Sequence, residues 1–311
     1  MEYERFRDFD EFAESVRDVD AQMLFQNPTQ RSWEINHLNL PGVHVQLGRL
    51  GSGNIVEGAS GRDGYILYLP LTDECEYSAN GVTIPKHGFM VLEPGCDFCV
   101  STKYEHDWCT IVIPRDMLPP PTDDDEPREK MICRVTRPDR RLAERFLALV
   151  RGPFGAAMKH PEFEGSLAAT RAAEDLFDVG ALILAEPHAK ERTPSGRPRI
   201  SRHRIVRRSL ELLEERDGEH VPVADLAGLV GVSERTLRTA FNKYYGVGPV
   251  RYLQLRKFHR VHRALQAAEL DEISVATVLL EHGIWELGRF ASRYRQLFGE
   301  GPSETLRAKG R

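Results

Sequence analysis

The sequence predicts an α+β chain of two domains, a β-barrel followed by an all-α unit. Three observations carry this. Short β-rich runs divided by turn signals fill residues 32–114. Beyond a Pro-, Arg- and Gly-rich stretch, everything after Arg204 reads as helix and short turn. Within that tail one pattern occurs twice. Phe241-x-x-x-Tyr245-Gly246-x-Gly248-Pro249 returns 53 residues later as Tyr294-x-x-x-Phe298-Gly299-x-Gly301-Pro302. A repeat at a fixed offset marks a duplicated unit.

The bulk numbers agree. A chain of 311 residues suggests two domains, because domains commonly run about 100–200 residues. Hydrophobic residues make up 41% and charged residues 29%, which is usual for a globular protein. No apolar run approaches the roughly 18 residues of a membrane span. The charged opening "MEYERFRDFDEF" does not read as a signal peptide. A cytoplasmic protein without a membrane partner is the expectation. Cys75, Cys96, Cys99, Cys109 and Cys133 fit a reducing compartment, and their odd number argues against a full disulfide framework.

Residues 3–20 place Phe6, Phe9, Phe12, Ala13, Val16 and Val19 at three- and four-residue steps, so a short amphipathic helix is expected there. The runs "WEINHLNL", "VHVQLGRL", "GYILYLPL", "GVTIP", "FMVLEPG" and "WCTIVIP" follow, as strands of an antiparallel barrel or sandwich. Asn80-Gly81 is the best two-residue hairpin. "PPPTDDDEP", Pro119 to Pro127, repels itself and reads as an exposed connection. Two helical patterns come next. Leu142, Phe146, Leu149 and Val150 form one stripe; Leu167, Ala168, Leu176, Val179, Leu182 and Ile183 form the other. Each stripe needs a partner, either the same domain or a second copy of the chain. "EPHAKERTPSGRPRIS" reads as a linker. The resulting division is 1–118 barrel, 119–190 acidic loop and helical region, 191–203 linker and 204–311 helical domain.

In the first copy of the repeat, Asp225, Leu226, Ala227 and Val230 make a short helix that Gly231 ends. Ser233 caps a second helix reaching to about Tyr245. This is a helix-turn-helix layout. Its second helix buries Leu237, Ala240, Phe241 and Tyr244, and shows Arg235, Thr236, Arg238, Thr239 and Asn242. In the second copy Ser274 caps a helix, Gly283 turns, and a helix follows from about Trp285 to Phe298. There Phe290, Tyr294 and Phe298 face in; Glu286, Arg289, Ser292, Arg293 and Gln296 face out. Between the copies, Pro249 to about Ala268 holds no breaker, so one rod-like helix joins them. Residues 199–311 carry 20 Lys+Arg against 14 Asp+Glu, a surplus of +6, while residues 1–198 stand at −11. The basic end is the one suited to a polyanion, and polar helices of this size fit the major groove of duplex DNA.

"DLAGLVGVSERTLRTAFNKYYGVGPVRYLQLRKF" and "GIWELGRFASRYRQLFGEGPSETL" resemble the AraC/XylS family of bacterial transcription regulators, over residues 205–306. The front half resembles, more loosely, the cupin-like effector domains of such proteins. "FDEF" and the second repeat suggest the branch of ethanolamine-utilisation regulators. The resemblance implies duplex DNA, a small-molecule effector and RNA polymerase as partners; a homodimer is the expectation from the two helical stripes, and activation and repression both stay open. It puts base-facing positions at Arg235, Arg238 and Thr239, and outward positions of the second helix at Leu287, Gly288, Arg289, Ser292 and Arg293. Two departures stand out. Leu279 and Ile284 replace the small and aromatic residues the family usually has, and Leu287 and Gly288 offer no side-chain hydrogen bonds to bases.

No catalytic constellation and no cofactor motif is found. His37, His44, His87 and His106 form no His-x-His pair, so a metal-dependent cupin enzyme is the weaker alternative. A ligand-free adaptor is another. "GCDFC", with Cys96 and Cys99, has redox or metal spacing but lacks a second Cys-x-x-Cys. His44, Tyr65, Tyr68 and Trp108 are candidates to line an effector pocket inside the barrel.

Overall fold

The protein is a computed structural model that describes residues 1–117, 133–186, 202–216, 221–268 and 273–308. The expected acidic connection Pro119–Pro127 lies outside the described residues, as does the expected linker up to Ser201.

The front half is a two-sheet structure. Strands β1 (Glu2–Phe6), β3 (Trp33–Leu40), β4 (Val43–Leu50), β11 (His106–Pro114), β6 (Gly64–Pro70), β9 (Phe89–Leu92) and β12 (Cys133–Thr136) form a seven-stranded sheet, with neighbours in the order β1-β3-β4-β11-β6-β9-β12. Strands β2 (Val19–Gln26), β5 (Gly53–Ser60), β10 (Asp97–Thr102), β7 (Tyr77–Ala79) and β8 (Val82–Ile84) form a second sheet, in the order β2-β5-β10-β7-β8. The expected closed barrel is therefore two separate sheets facing each other. β12 returns to the first sheet after the acidic stretch, a strand the sequence reading placed in a helical region.

The opening also differs from expectation. Residues 2–6 pair with β3 in antiparallel register, and only Phe9–Ser15 is helical (α1). Asp8 explains the break. Its carboxylate accepts from the backbone N–H groups of Asp10 and Glu11, which starts the helix there. Phe9 then turns inward onto Phe25 and Trp33, and Phe12 packs against Phe9 and Phe6. Asn80 and Gly81 form the hairpin as read, with φ of 48° and 79°, the two left-handed residues of a type I′ turn.

The first sheet has two apolar faces, so its strands read as nearly continuous hydrophobic runs. On β11, Trp108 faces the second sheet, while Cys109, Ile111 and Ile113 face helices α2 (Arg140–Lys159) and α3 (Leu167–Ala185). Phe146, Val150, Leu176, Val179 and Ile183 fill that outer layer. Leu167 and Leu182, read as part of the α3 stripe, stand 68% and 55% exposed, because Ala169, Ala173 and Gly180 make the contact instead. Gly180 permits it: a Cβ there would lie 2.4 Å from Ile113.

The rear half holds α4 (Arg202–Glu214), α5 (Val223–Val230), α6 (Glu234–Tyr245), α7 (Pro249–Ala267), α8 (Val275–Glu281), α9 (Leu287–Phe298) and α10 (Pro302–Ala308). Pro249 opens α7 at its first turn, where a missing N–H is harmless. One hydrophobic core runs through both halves, from Phe9, Phe25 and Val100 to Leu237, Tyr252 and Tyr294.

Candidate nucleic-acid interface

α5 and α6 meet at Gly231, which takes the left-handed conformation with φ 76°. The N–H of Val232 donates to Ala227 O at 3.0 Å and closes the corner. Ser233 caps α6, its hydroxyl accepting from Thr236 N–H at 3.2 Å. The inward face is the one expected: Leu237, Ala240, Phe241 and Tyr244 are buried. Arg235, Thr236, Arg238, Thr239 and Asn242 are all exposed on the opposite face. Arg238 is held by Glu234 at 3.1 Å, one helical turn away. Thr239 and Asn242 donate back to the carbonyls of Arg235 and Arg238, both at 2.8 Å. Arg235 makes no side-chain hydrogen bond or ion pair among the described residues and has the freest guanidinium of the set.

α8 and α9 repeat the arrangement around Gly283, φ 66°. Ile284 N–H donates to Leu279 O at 2.9 Å, as Val232 does to Ala227. The corner glycines lie 52 residues apart, whereas the aromatic and glycine positions downstream lie 53 apart. The second turn thus holds one extra residue. Its consequence is local. Helix α9 starts at Leu287, two residues later than read, and its cap residue Glu286 makes no side-chain cap bond. Trp285 is pushed out to 79% exposure. Phe290 and Tyr294 are buried and Phe298 half-buried. Glu286, Arg289, Ser292, Arg293 and Gln296 are exposed, with Arg289 paired to Glu286 at 3.2 Å. Burial pushes the Arg251 guanidinium of α7 down, and the nearby charge of Arg293 adds to it. Rod and second helix therefore share a basic locus that the sequence reading did not connect.

The front domain contains a partly open cavity of about 50 Å³ between its sheets. Tyr68 and Trp108 line it, with stacked rings 6.1 Å apart. Two further candidates do not line it. Tyr65 alternates with Ile66 along β6 and so shares the opposite face with Leu67 and Leu69. His44 belongs to a neighbouring polar chain, Nδ1 to Asp18 at 2.6 Å and Nε2 to His37 at 3.4 Å. Burial, together with the charges of Arg17 and His44, holds His37 down at about 4. Strand phase decides the outcome for Tyr65, and the sequence alone did not fix it; His44 shares the inner face with Gly48 and Leu50 but lies at the polar end of β4, away from the cavity.

All five cysteines are unbridged. Cys96 and Cys99 sit buried around the start of β10, and burial pushes both thiols up, away from the reactive thiolate. Among the described residues no group of three or more His, Cys, Asp or Glu is placed to hold a metal ion. Among them, too, no helix is long and apolar enough to cross a membrane.

The inner face of α6 is docked on the front domain. Tyr245 donates to Glu57 Oε1, and Tyr252 of α7 donates to Oε2 at 2.5 Å. Burial pushes the Glu57 carboxyl up, and the two phenols pull it down. Ser101 donates to Tyr244 O at 3.3 Å, and the Tyr244 hydroxyl donates to Asn80 at 3.0 Å. The second unit is held separately. Arg31 donates to the carbonyls of Gln296 and Leu297 at 3.0 and 3.3 Å, at the carbonyl end of α9. His259 bonds Phe25 O at 3.2 Å.

A family match falls on this rear region. Residues 226–308 match a family described as a helix-turn-helix domain. A stretch of 99 residues, 32% of this chain, is 37% identical to the XylDLEGF operon transcriptional activator 2 of Pseudomonas putida and covers 63% of that protein. A stretch of 128 residues, 41% of the chain, is 33% identical to the probable thc operon regulatory protein of Rhodococcus erythropolis and covers 38% of it. The chain thus matches less than two thirds of the length of these relatives. Among solved structures, the AraC-like transcriptional activator CuxR aligns over 83% of this chain and 93% of its own, at 13% identity and a TM-score of 0.44.

Proposed function

We propose that this chain, whose last third is an AraC-type helix-turn-helix domain, is a sequence-specific DNA-binding transcription regulator governed by a small effector in its front domain. One observation carries the reading: α6 and α9 each present an exposed polar face, and the unbroken α7 joins their units. The 19 residues of α7 span about 28 Å at 1.5 Å per residue. Successive major-groove faces on one side of B-DNA lie about 34–36 Å apart. Two reading units so joined suit one side of one duplex.

Arg235 and Arg238 are assigned to base edges, where an Arg fork on guanine discriminates by about 1–3 kcal/mol. Thr236, Thr239 and Asn242 flank them. Glu286, Arg289, Ser292 and Arg293 face DNA from α9. With Gly288 bare and Arg251 beside Arg293, that unit grips backbone more than it reads sequence. The mouth of the α2–α3 layer, with Met158, Leu167 and Leu182 exposed, is the candidate seam of a homodimer. The cavity beside Tyr68 and Trp108 is the candidate effector site. The name of the Pseudomonas relative speaks of an operon activator, so activation, with RNA polymerase as partner, is the favoured outcome.

A salt series on the purified chain tests the reading. Binding to its chromosomal target should fall steeply with salt, with a log–log slope of about −0.9 per phosphate contacted. A flat salt dependence would contradict a DNA interface built from these arginines.

A further inference from the structure

The inference rests on the effector-cavity reading and concerns what enters the cavity and how its arrival is felt. Strands β2, β5 and β10 form a wall with both faces in use. Met23, Asn54, Val56, Phe98 and Val100 line the cavity. The residues between them on the same strands, Gln22, Glu57, Cys99 and Ser101, face the helical domain. Side chains alternate along a strand, so a displacement of the backbone that serves one face is imposed on the other.

The helical side of this wall carries the reading machinery itself. Tyr244 and Tyr245 are the last residues of α6, and Tyr252 lies in the first turn of α7. Asp97 of β10 also meets Arg207 of α4 at 3.7 Å.

The cavity is tight. It measures about 50 Å³, whereas an apolar cavity that takes up benzene measures about 150 Å³. A ring-sized guest enters only if a wall yields. The opposite wall is backed closely by α2 and α3, as the approach of Gly180 to Ile113 shows. The β2–β5–β10 wall is backed by a cleft of about 440 Å³ beside Glu57, His203 and Arg256. That is the side with room to move.

The lining selects the guest. No charged side chain borders the cavity. The Tyr68 hydroxyl and the Trp108 indole N–H have no hydrogen-bond partner among the described residues, which leaves two donors free for an acceptor. A buried anion would find no cation there and would bear the full cost of desolvation.

We infer that the effector is an uncharged, ring-sized molecule with a hydrogen-bond acceptor, and that it acts by pushing the β5–β10 wall against the Glu57 dock of α6 and α7. Because linkage is reciprocal, loosening the dock must tighten the effector.

Titration calorimetry on the full chain with acetophenone, a neutral ring bearing a carbonyl, and with benzoate, an anionic counterpart, tests both parts. Acetophenone should bind and benzoate should bind about tenfold more weakly or worse, given the cost of a buried charge. Tyr68→Phe should weaken acetophenone by about fivefold, the worth of one ordinary hydrogen bond. The double variant Tyr245→Phe/Tyr252→Phe should bind acetophenone more tightly than the wild type. Ser101→Ala, a gentler lesion on the same dock, should shift affinity the same way and serves if the double variant fails to fold. No acetophenone binding, or benzoate binding as well, overturns the ligand class. Unchanged acetophenone affinity in the folded dock variants overturns the wall. Loss of salt-sensitive DNA binding with these ligand results intact would instead count against the regulator reading.

Discussion

The two helix pairs are copies of one plan that have been tuned differently. Both turn at a left-handed glycine, both bury an aromatic plug, and both end at a Gly-x-Gly-Pro. The first has a capped α6 with five polar side chains on its outer face and three tyrosines docked on the front domain. The second has one more residue in its turn, an uncapped α9, a bare Gly288 and an exposed Trp285. The difference teaches that the buried scaffold and the exposed face are separable. Buried aromatic positions repeat because both corners need the same plug, while the outer faces are free to diverge. Both units are docked on the front domain, the first through tyrosines on Glu57, Ser101 and Asn80, the second through Arg31 on the end of α9.

The plug is where the pairs should differ most in stability. Tyr245 is fully buried, whereas its repeat counterpart Phe298 is half-buried against His262. Tyr245→Ala should cost about 3–5 kcal/mol, as for other buried aromatics. Phe298→Ala should cost clearly less, and urea unfolding of the two variants makes the comparison. Equal losses would mean the two corners are packed alike.

Acid should separate the docks. Burial holds His259, under the second unit, down at about 3, against an ordinary 6.5. The docked form therefore binds fewer protons than the released form between those values. That contribution is complete above pH 6.5 and is lost as pH falls through 6.5 toward 3, by about 2 kcal/mol at pH 5. Glu57, under the first unit, has its carboxyl raised, so the sign is opposite and acid does not weaken its dock. Hydrogen exchange at pH 7 and pH 5 should show α9 loosening before α6; simultaneous loosening would erase the distinction.

On DNA, Arg238→Ala should cost about 1–3 kcal/mol at the true site and little on random duplex. Arg293→Ala should weaken both alike and flatten the salt slope. Equal loss on both duplexes for Arg238 would make it a backbone contact. The smallest effect concerns caps. Ser233→Ala should lower the unfolding free energy by about 1 kcal/mol, and Glu286→Ser should raise it by a few tenths to about 1.

The legible parts of this molecule were the ones written in neighbouring residues. Ser233, Ser274, Pro249 and the corner glycines set helix ends through contacts within a few residues, so the rod and both helix pairs could be read directly. The Asn80-Gly81 hairpin was legible for the same reason. What failed depended on distant partners. Residues 2–6 look helical by spacing but gain a strand partner in β3. Tyr65 and Tyr68 differ in face only through β-sheet phase. The Glu57 dock joins residues 188 and 195 positions apart, and no local pattern announces it. The extra residue in the second turn was visible in the sequence as a 52-residue glycine offset beside the 53-residue aromatic one, and the uniform repeat hid it.

The most direct test is a hydroxyl-radical footprint on the chain's own target, repeated with five base pairs inserted at its centre. Two protected patches about 10 bp apart on one face of the duplex are expected, with the insertion abolishing protection of one patch and most of the affinity. A single protected patch, or affinity unmoved by the insertion, would contradict two reading helices held at a fixed separation by α7.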